Sequence, residues 1–271
     1  RKLNGPTAPV PIESLYKANF GRFFALYYIV YREDSLFPSA KYRRPRGLRR
    51  PAMYRAHWNL TTKPFRNDLD LSFAFMWEGY EEARARMQYW VADGKRLAVL
   101  AGPAGVGKSY LLALLSRDIR RRGDIVAVMP NPSLSAAEFL QYVLSLYGFD
   151  QTGLSKSQAL AVLTQFACEN AAQGIRTYLL IDESQAITER RTFEEINLIL
   201  NLSDEAKPLF SVVLAGEPHL KAALAESPSL RQKVEIKAEL APLTLEEAAR
   251  YMAHRLKIAG RTADDAQHLR C

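Results

Sequence analysis

The chain has 271 residues, 48% of them hydrophobic, and a formal net charge of +8. That length and apolar content allow one large domain with a buried core and exclude a globally disordered polymer. The two cysteines, Cys168 and Cys271, form no framework, which excludes a disulfide-stapled scaffold and makes a reducing, cytosolic setting the expectation.

The charge is unevenly placed. Residues 1–52 hold 11 Lys+Arg against 3 Asp+Glu, whereas residues 53–271 hold 26 of each. A surplus of basic residues would ordinarily point to nucleic acid or an anionic membrane, but all of it lies in this preamble, densest in KYRRPRGLRRP (Lys41 to Pro51). The first methionine is Met53, and regular patterning starts only there. The favoured reading is translation from Met53, with 1–52 as upstream sequence. The other is a basic arm for nucleic acid or lipid. The apolar run FFALYYIVY (Phe23 to Tyr31) falls far short of the ~20 residues a membrane helix needs.

From Met53 the elements follow in order. MYRAHWNLTTKPF is an irregular lead-in, and FAFMWEGYEEARARMQYWVADG has helical spacing and stops at Gly94. RLAVLAG is a short buried strand, KSYLLALLSRDIRRRG a helix with arginines at its C-terminal end, and DIVAVM a second strand. Two helices open on capping boxes, Ser135 with Glu138 and Ser155 with Gln158, and close at Gly148 and Gly174. RTYLLID is a third strand, RTFEEINLILNLS a helix, LFSVVLAG a fourth strand, EPHLKAALAE a short helix and KVEIKAEL a fifth strand. TLEEAARYMAHRLKIAG, with Thr244 and Glu247 as a capping box, is a final amphipathic helix. Strands alternating with helices predict an α/β fold with a mostly parallel sheet covered on both faces.

Two motifs carry chemistry. Gly102-Pro103-Ala104-Gly105-Val106-Gly107-Lys108-Ser109 fits G-x-x-x-x-G-K-[ST] at every fixed position, between an apolar strand and a helix. Glycines let the backbone wrap an anion with its N–H groups inward. Lys108 is expected to reach the β and γ phosphates, Ser109 to ligate Mg²⁺, and the helix N-terminus, through Tyr110, to complete an ATP cradle. YLLIDESQ then places Asp182 and Glu183 at a strand's C-terminal end, where open α/β sheets bind ligands. Asp182 is the expected partner of the Mg²⁺ shell and Glu183 the base that polarises an attacking water. The adjacent Glu favours hydrolysis over transfer to a small substrate.

These motifs and their surroundings resemble an AAA+ ATPase of the ExeA (general secretion pathway protein A)-like branch, with the TniB/TnsC-type transposition ATPases as relatives. The resemblance runs from about Met53 to Arg261. The lead-in ending in Pro64-Phe65, VLAGPAGVGKS, LLIDESQ, VVLAGEPHL and LAPLTLEEAARYMAHRL carry it. It implies a P-loop NTPase fold with a five-stranded sheet in the order 5-1-4-3-2. It implies three regions: the preamble 1–52, an α/β domain 53–242 and the truncated start of a helical lid, 243–271. A homo-oligomeric ring or filament is implied too, with one subunit's arginine reaching its neighbour's nucleotide. Where the family has L-R-Q-R, this chain has Leu230-Arg231-Gln232-Lys233; lysine lacks arginine's planar fork, so Arg231 becomes the candidate finger. The other reading is two solvated charges before a strand. Glu217 stands where the family has Gln, near a γ-phosphate sensor, where a carboxylate repels phosphate unless turned away, so it is not assigned that role.

Smaller features attract plainer readings. His57, His219, His254 and His268 show no metal spacing, Cys168 reads as core, and Trp58, Trp77 and Trp90 as packing under the nucleotide site. His57 or Pro64-Phe65 is the expected adenine-pocket lining. Three functions remain open. The first is an ATPase serving a protein partner in secretion or envelope assembly, cytoplasmic or held at the inner membrane face through a region outside this chain. The second is a transposition ATPase coating DNA, and the third a nucleotide-binding module without turnover.

Overall fold

The computed structural model describes residues 60–65, 69–150, 153–205 and 207–260. The preamble, Met53, His57, Trp58, His268 and Cys271 lie outside them. Eight helices are labelled in chain order, the first being α1 (Glu78–Asp93), α2 (Lys108–Arg121), α3 (Ala136–Leu146) and α4 (Lys156–Ala172). They continue as α5 (Arg190–Asn201), α6 (Leu220–Ala225), α7 (Pro228–Arg231) and α8 (Leu245–Ile258). The sheet strands are β1 (Leu97–Ala101), β2 (Ile125–Met129), β3 (Thr177–Ile181), β4 (Phe210–Gly216) and β5 (Val234–Glu239).

All sheet pairings are parallel, in the order β2-β3-β4-β1-β5, as the resemblance implies. Parallel neighbours need crossover connections, and the helices that supply them bury both faces. Successive strand residues therefore feed opposite cores. Leu97, Val99, Leu179, Ile181, Val212 and Leu214 join Phe139, Leu163, Ile196 and Ile199 from α3, α4 and α5, with Cys168 packed against them. Ala98, Leu100, Tyr178, Leu180, Val213 and Ala215 join Tyr80, Met87, Trp90, Leu111 and Ile119 from α1 and α2.

All three capping boxes form, at Ser135, Ser155 and Thr244. Each satisfies two orphan donors at a helix start and is worth about 1 kcal/mol. The first helix starts later than its spacing predicts. Leu71–Phe73 is a single 3-10 turn, and Trp77 caps α1 in an extended conformation. Phe73, Phe75 and Trp77 alternate, which is a strand's period and not a helix's. A small antiparallel ladder, Ser203–Asp204 with Lys207–Pro208, and α7 were also not anticipated.

A third cluster, Leu60, Phe73 and Ala259, ties the lead-in to α8. The Thr61 N–H donates to the Ala259 carbonyl at 2.8 Å. Arg255 seals the same junction, its Nε donating to the Pro64 carbonyl and its guanidinium lying 4.9 Å from the Phe73 ring centroid.

Trp90 is fully buried, edge-on to Tyr178 at 5.3 Å between centroids. Trp90→Ala removes that packing and leaves a cavity, so it should cost about 3–5 kcal/mol, seen in urea denaturation as a lower midpoint with an unchanged m-value.

Candidate functional site

The loop between β1 and α2 is fastened at its base on both sides. The Gly102 N–H donates to the Gly216 carbonyl at 3.1 Å, and the Leu240 N–H to the Ala101 carbonyl at 2.8 Å. A Cβ on Gly102 would lie 2.6 Å from the Leu240 carbonyl oxygen and 2.9 Å from Val106 Cγ2. Backbone cannot yield there, so glycine is required. Gly107, at φ 97°, supplies the left-handed turn that starts α2, and no side chain caps that helix.

Lys108 is 5% exposed, and its ammonium donates to the carbonyls of Gly102 at 2.9 Å and Pro103 at 2.8 Å. A buried cation hydrogen-bonded to neutral carbonyls beside uncapped helix N–H groups, with Asp182 as its neighbouring charge, fits a polyanion. Ser109 follows it on α2 and faces Asp182 across one cavity, where its hydroxyl favours the ionised carboxylate. Asp182 leaves β3 buried, its N–H donating to the Met129 carbonyl and its Oδ1 accepting from the Glu183 N–H at 2.9 Å. Burial pushes its pKa above the usual carboxylate value, opposed by the Ser109 hydroxyl, the Glu183 N–H and the Lys108 charge. A carboxylate that burial penalises, paired with a hydroxyl oxygen, is a donor set suited to Mg²⁺.

Glu183 is exposed and lies at φ 49°, ψ 37°, a left-handed backbone that costs a residue with a side chain roughly 1–2 kcal/mol. Its carboxylate accepts from Gln185 Nε2. Ser109, Asp182 and Glu183 line one side of a cavity of about 700 Å³, faced by Leu69, Leu71 and Arg117.

A second cavity, of about 420 Å³, flanks the loop on its other side and is lined by Ala104, Gly105, Val106, Gly107 and Tyr110 together with aromatic residues and residues of α8. Phe73, Phe75, Trp77 and Tyr80 supply its wall, and Tyr251 and Arg255 come from α8. Burial pushes the Tyr110 hydroxyl up to about 12, and that hydroxyl donates to the Asp70 carbonyl at 3.1 Å. Pro64-Phe65 is not in this lining: Pro64 is buried under Arg255, and Phe65 is 53% exposed. His57, the other expected lining residue, lies outside the described residues. The alternating Phe73-Phe75-Trp77 was the available signal, hidden by the helical spacing that follows it. Arg255 and Gln185 had no comparable signal.

The remaining candidates lie elsewhere. Arg231 is exposed at the end of α7 and lines neither cavity. Lys233 is turned back onto α5, where its ammonium donates to the side-chain carbonyls of Asn197 and Asn201. Glu217 points its carboxylate to His219, 3.6 Å away, and lines neither cavity. Trp90 packs in the core beneath the site, whereas Trp77 faces the cavity.

Sheet order, loop and strand-end carboxylates together define a P-loop domain of the AAA+ class. Residues 91–224 match the family model of the AAA domain. Its sequence is 29% identical over 215 residues to general secretion pathway protein A of Aeromonas hydrophila, covering 77% of this chain and 38% of that protein. The Aeropyrum pernix ORC2 protein, solved as ADPNP-ADP complexes, superposes with a TM-score of 0.54 at 14% identity, covering 70% of this chain and 55% of that one. Cdc6p from Pyrobaculum aerophilum gives 0.52 at 17%, covering 70% and 53%. At such identities the solved structures speak for the fold alone. The chain spans little over a third of the secretion protein and about half of each solved chain. Among the described residues no helix is long and apolar enough to cross a membrane.

Asp182 yields a prediction with a definite sign. Its raised folded-state pKa means that the unfolded chain gives up this proton first. Its ionisation therefore costs stability, progressively as pH rises from about 4 through the raised value and in full above it. Asp182→Asn keeps the acceptor for the Glu183 N–H and should raise the melting temperature at pH 7 in EDTA. The gain should shrink towards pH ~4.

Proposed function

We propose that this chain binds ATP with Mg²⁺ and hydrolyses it. The observation that carries the reading is the buried Lys108 ammonium, hydrogen-bonded to two loop carbonyls in front of uncapped helix N–H groups. In this reading Gly102 to Tyr110 hold the phosphates, with Lys108 on the β and γ groups. Ser109 and Asp182 would hold Mg²⁺, which supplies charge neutralisation on the phosphate oxygens when bound. The aromatic wall from Phe73 to Tyr80 receives the base. Glu183 accepts a proton from water as its oxygen attacks the γ phosphorus, and the bond to the β–γ bridging oxygen breaks with ADP as leaving group. The strained backbone of Glu183 accords with this role, since such strain collects at active sites.

Oligomerisation completes the reading. Arg231 is exposed and stands away from its own subunit's cavities, which suits a side chain offered to the nucleotide of a second copy. Lys233 is tied to Asn197 and Asn201 and cannot make the same reach. The likeness to general secretion pathway protein A supports a protein client in secretion or envelope assembly as the work driven by this cycle.

Three variants test the proposal. Lys108→Ala should abolish binding of a fluorescent ATP analogue. Glu183→Gln should bind it as the parent does, while steady-state phosphate release falls by at least ~10²-fold; equal release would remove the hydrolytic role. Specific activity of the parent should rise with protein concentration, and Arg231→Ala should flatten that rise without changing analogue affinity.

A further inference from the structure

Gln185 sits in the 3-10 turn Ser184–Ala186, just past Glu183. Its amide is held at both ends. Oε1 accepts from the Glu217 N–H at 3.1 Å, at the exit of β4. Nε2 donates to the Glu183 carboxylate. The first bond fixes the sense of the second: with the oxygen occupied by a backbone donor, the nitrogen must face Glu183. The bridge depends on bare backbone beneath it, because a Cβ on Gly216 would lie 2.8 Å from Gln185 Oε1 and 3.2 Å from the Gln185 nitrogen. Gly216 is also the residue whose carbonyl receives the Gly102 N–H. One rigid amide thus connects the exposed Glu183 carboxylate to the strand end on which the phosphate loop is anchored.

We infer that Gln185 is a positioning residue, which orients the Glu183 carboxylate for water activation and couples that orientation to the exit of β4. The inference rests on the hydrolytic reading of Glu183 and adds what holds that side chain, which is otherwise exposed on a short turn. Any shift of the Gly216-Glu217 backbone is passed through the amide to the carboxylate. The exit of β4 therefore sets how well the site hydrolyses.

The test uses the full chain, with ATP and Mg²⁺. Gln185→Met fills the same space without either hydrogen bond. Gln185→Glu keeps the acceptor for the Glu217 N–H and replaces only the donor, setting a second carboxylate against Glu183. Both should lower kcat by on the order of 10- to 100-fold, leaving KM, ATP-analogue affinity and melting temperature near the parent's. In a Glu183→Gln background neither should lower phosphate release further, because a residue acting through Glu183 has nothing left to position. Parent-like kcat in both variants, alongside an inactive Glu183→Gln, overturns the positioning role alone, as does a further loss in the double variants. Parent-like turnover by Glu183→Gln itself overturns the hydrolytic reading, and this inference with it.

Discussion

Parallel pairing governs this molecule. Each of the five strands must be re-entered from the same end, so every crossover runs back over a face of the sheet and all five carboxyl ends gather on one edge. The loop after β1, the carboxylates after β3 and the Gly216-Glu217 exit after β4 share that edge for this reason. Because β4 lies between β1 and β3, the Gly216 carbonyl can anchor the phosphate loop while the Glu217 N–H anchors Gln185. The apolar crossings beneath, with Trp90 and Tyr178 fully buried on one side and Phe139 and Phe210 on the other, hold those exits in place.

The site sets two buried groups of opposite charge near each other. A buried ammonium rests on two carbonyls, and a buried carboxylate with a raised pKa rests on a hydroxyl and one N–H. Burial of the carboxylate costs stability, and both groups suit ligand groups of opposite charge. The left-handed backbone of Glu183 adds a local strain of the same kind. Stability and function pull against each other at these positions, as they do wherever a site is organised ahead of its ligand.

Much of the architecture was legible in the chain. The G-x-x-x-x-G-K-S run, the capping boxes at Ser135, Ser155 and Thr244 and the apolar strands each state a local requirement, and each falls where its pattern puts it. The stretch Phe73 to Trp77 did not read correctly. Its two-residue alternation abuts a helical pattern, and a fixed helical period absorbs three aromatics that in fact line a cavity wall. Lys233 and Arg231 are two residues apart and indistinguishable as charges. Their difference arises because Asn197 and Asn201, a helical turn apart on α5, face the one and not the other.

Motif and periodicity were enough to establish the fold class and to put the Gly102–Ser109 loop and the pair Asp182-Glu183 at strand ends, because each depends on residues close together in sequence. Contacts between distant segments were settled by folding. Arg255 reaches Phe73 and the Pro64 carbonyl only when the last helix packs on the lead-in. Gln185 spans Glu183 and Glu217 only when β3 and β4 lie side by side, over a glycine that leaves room for the amide. Such contacts carry no local signature, since the chain records residue types in order, whereas an amide bridge depends on distances that the packed sheet alone sets.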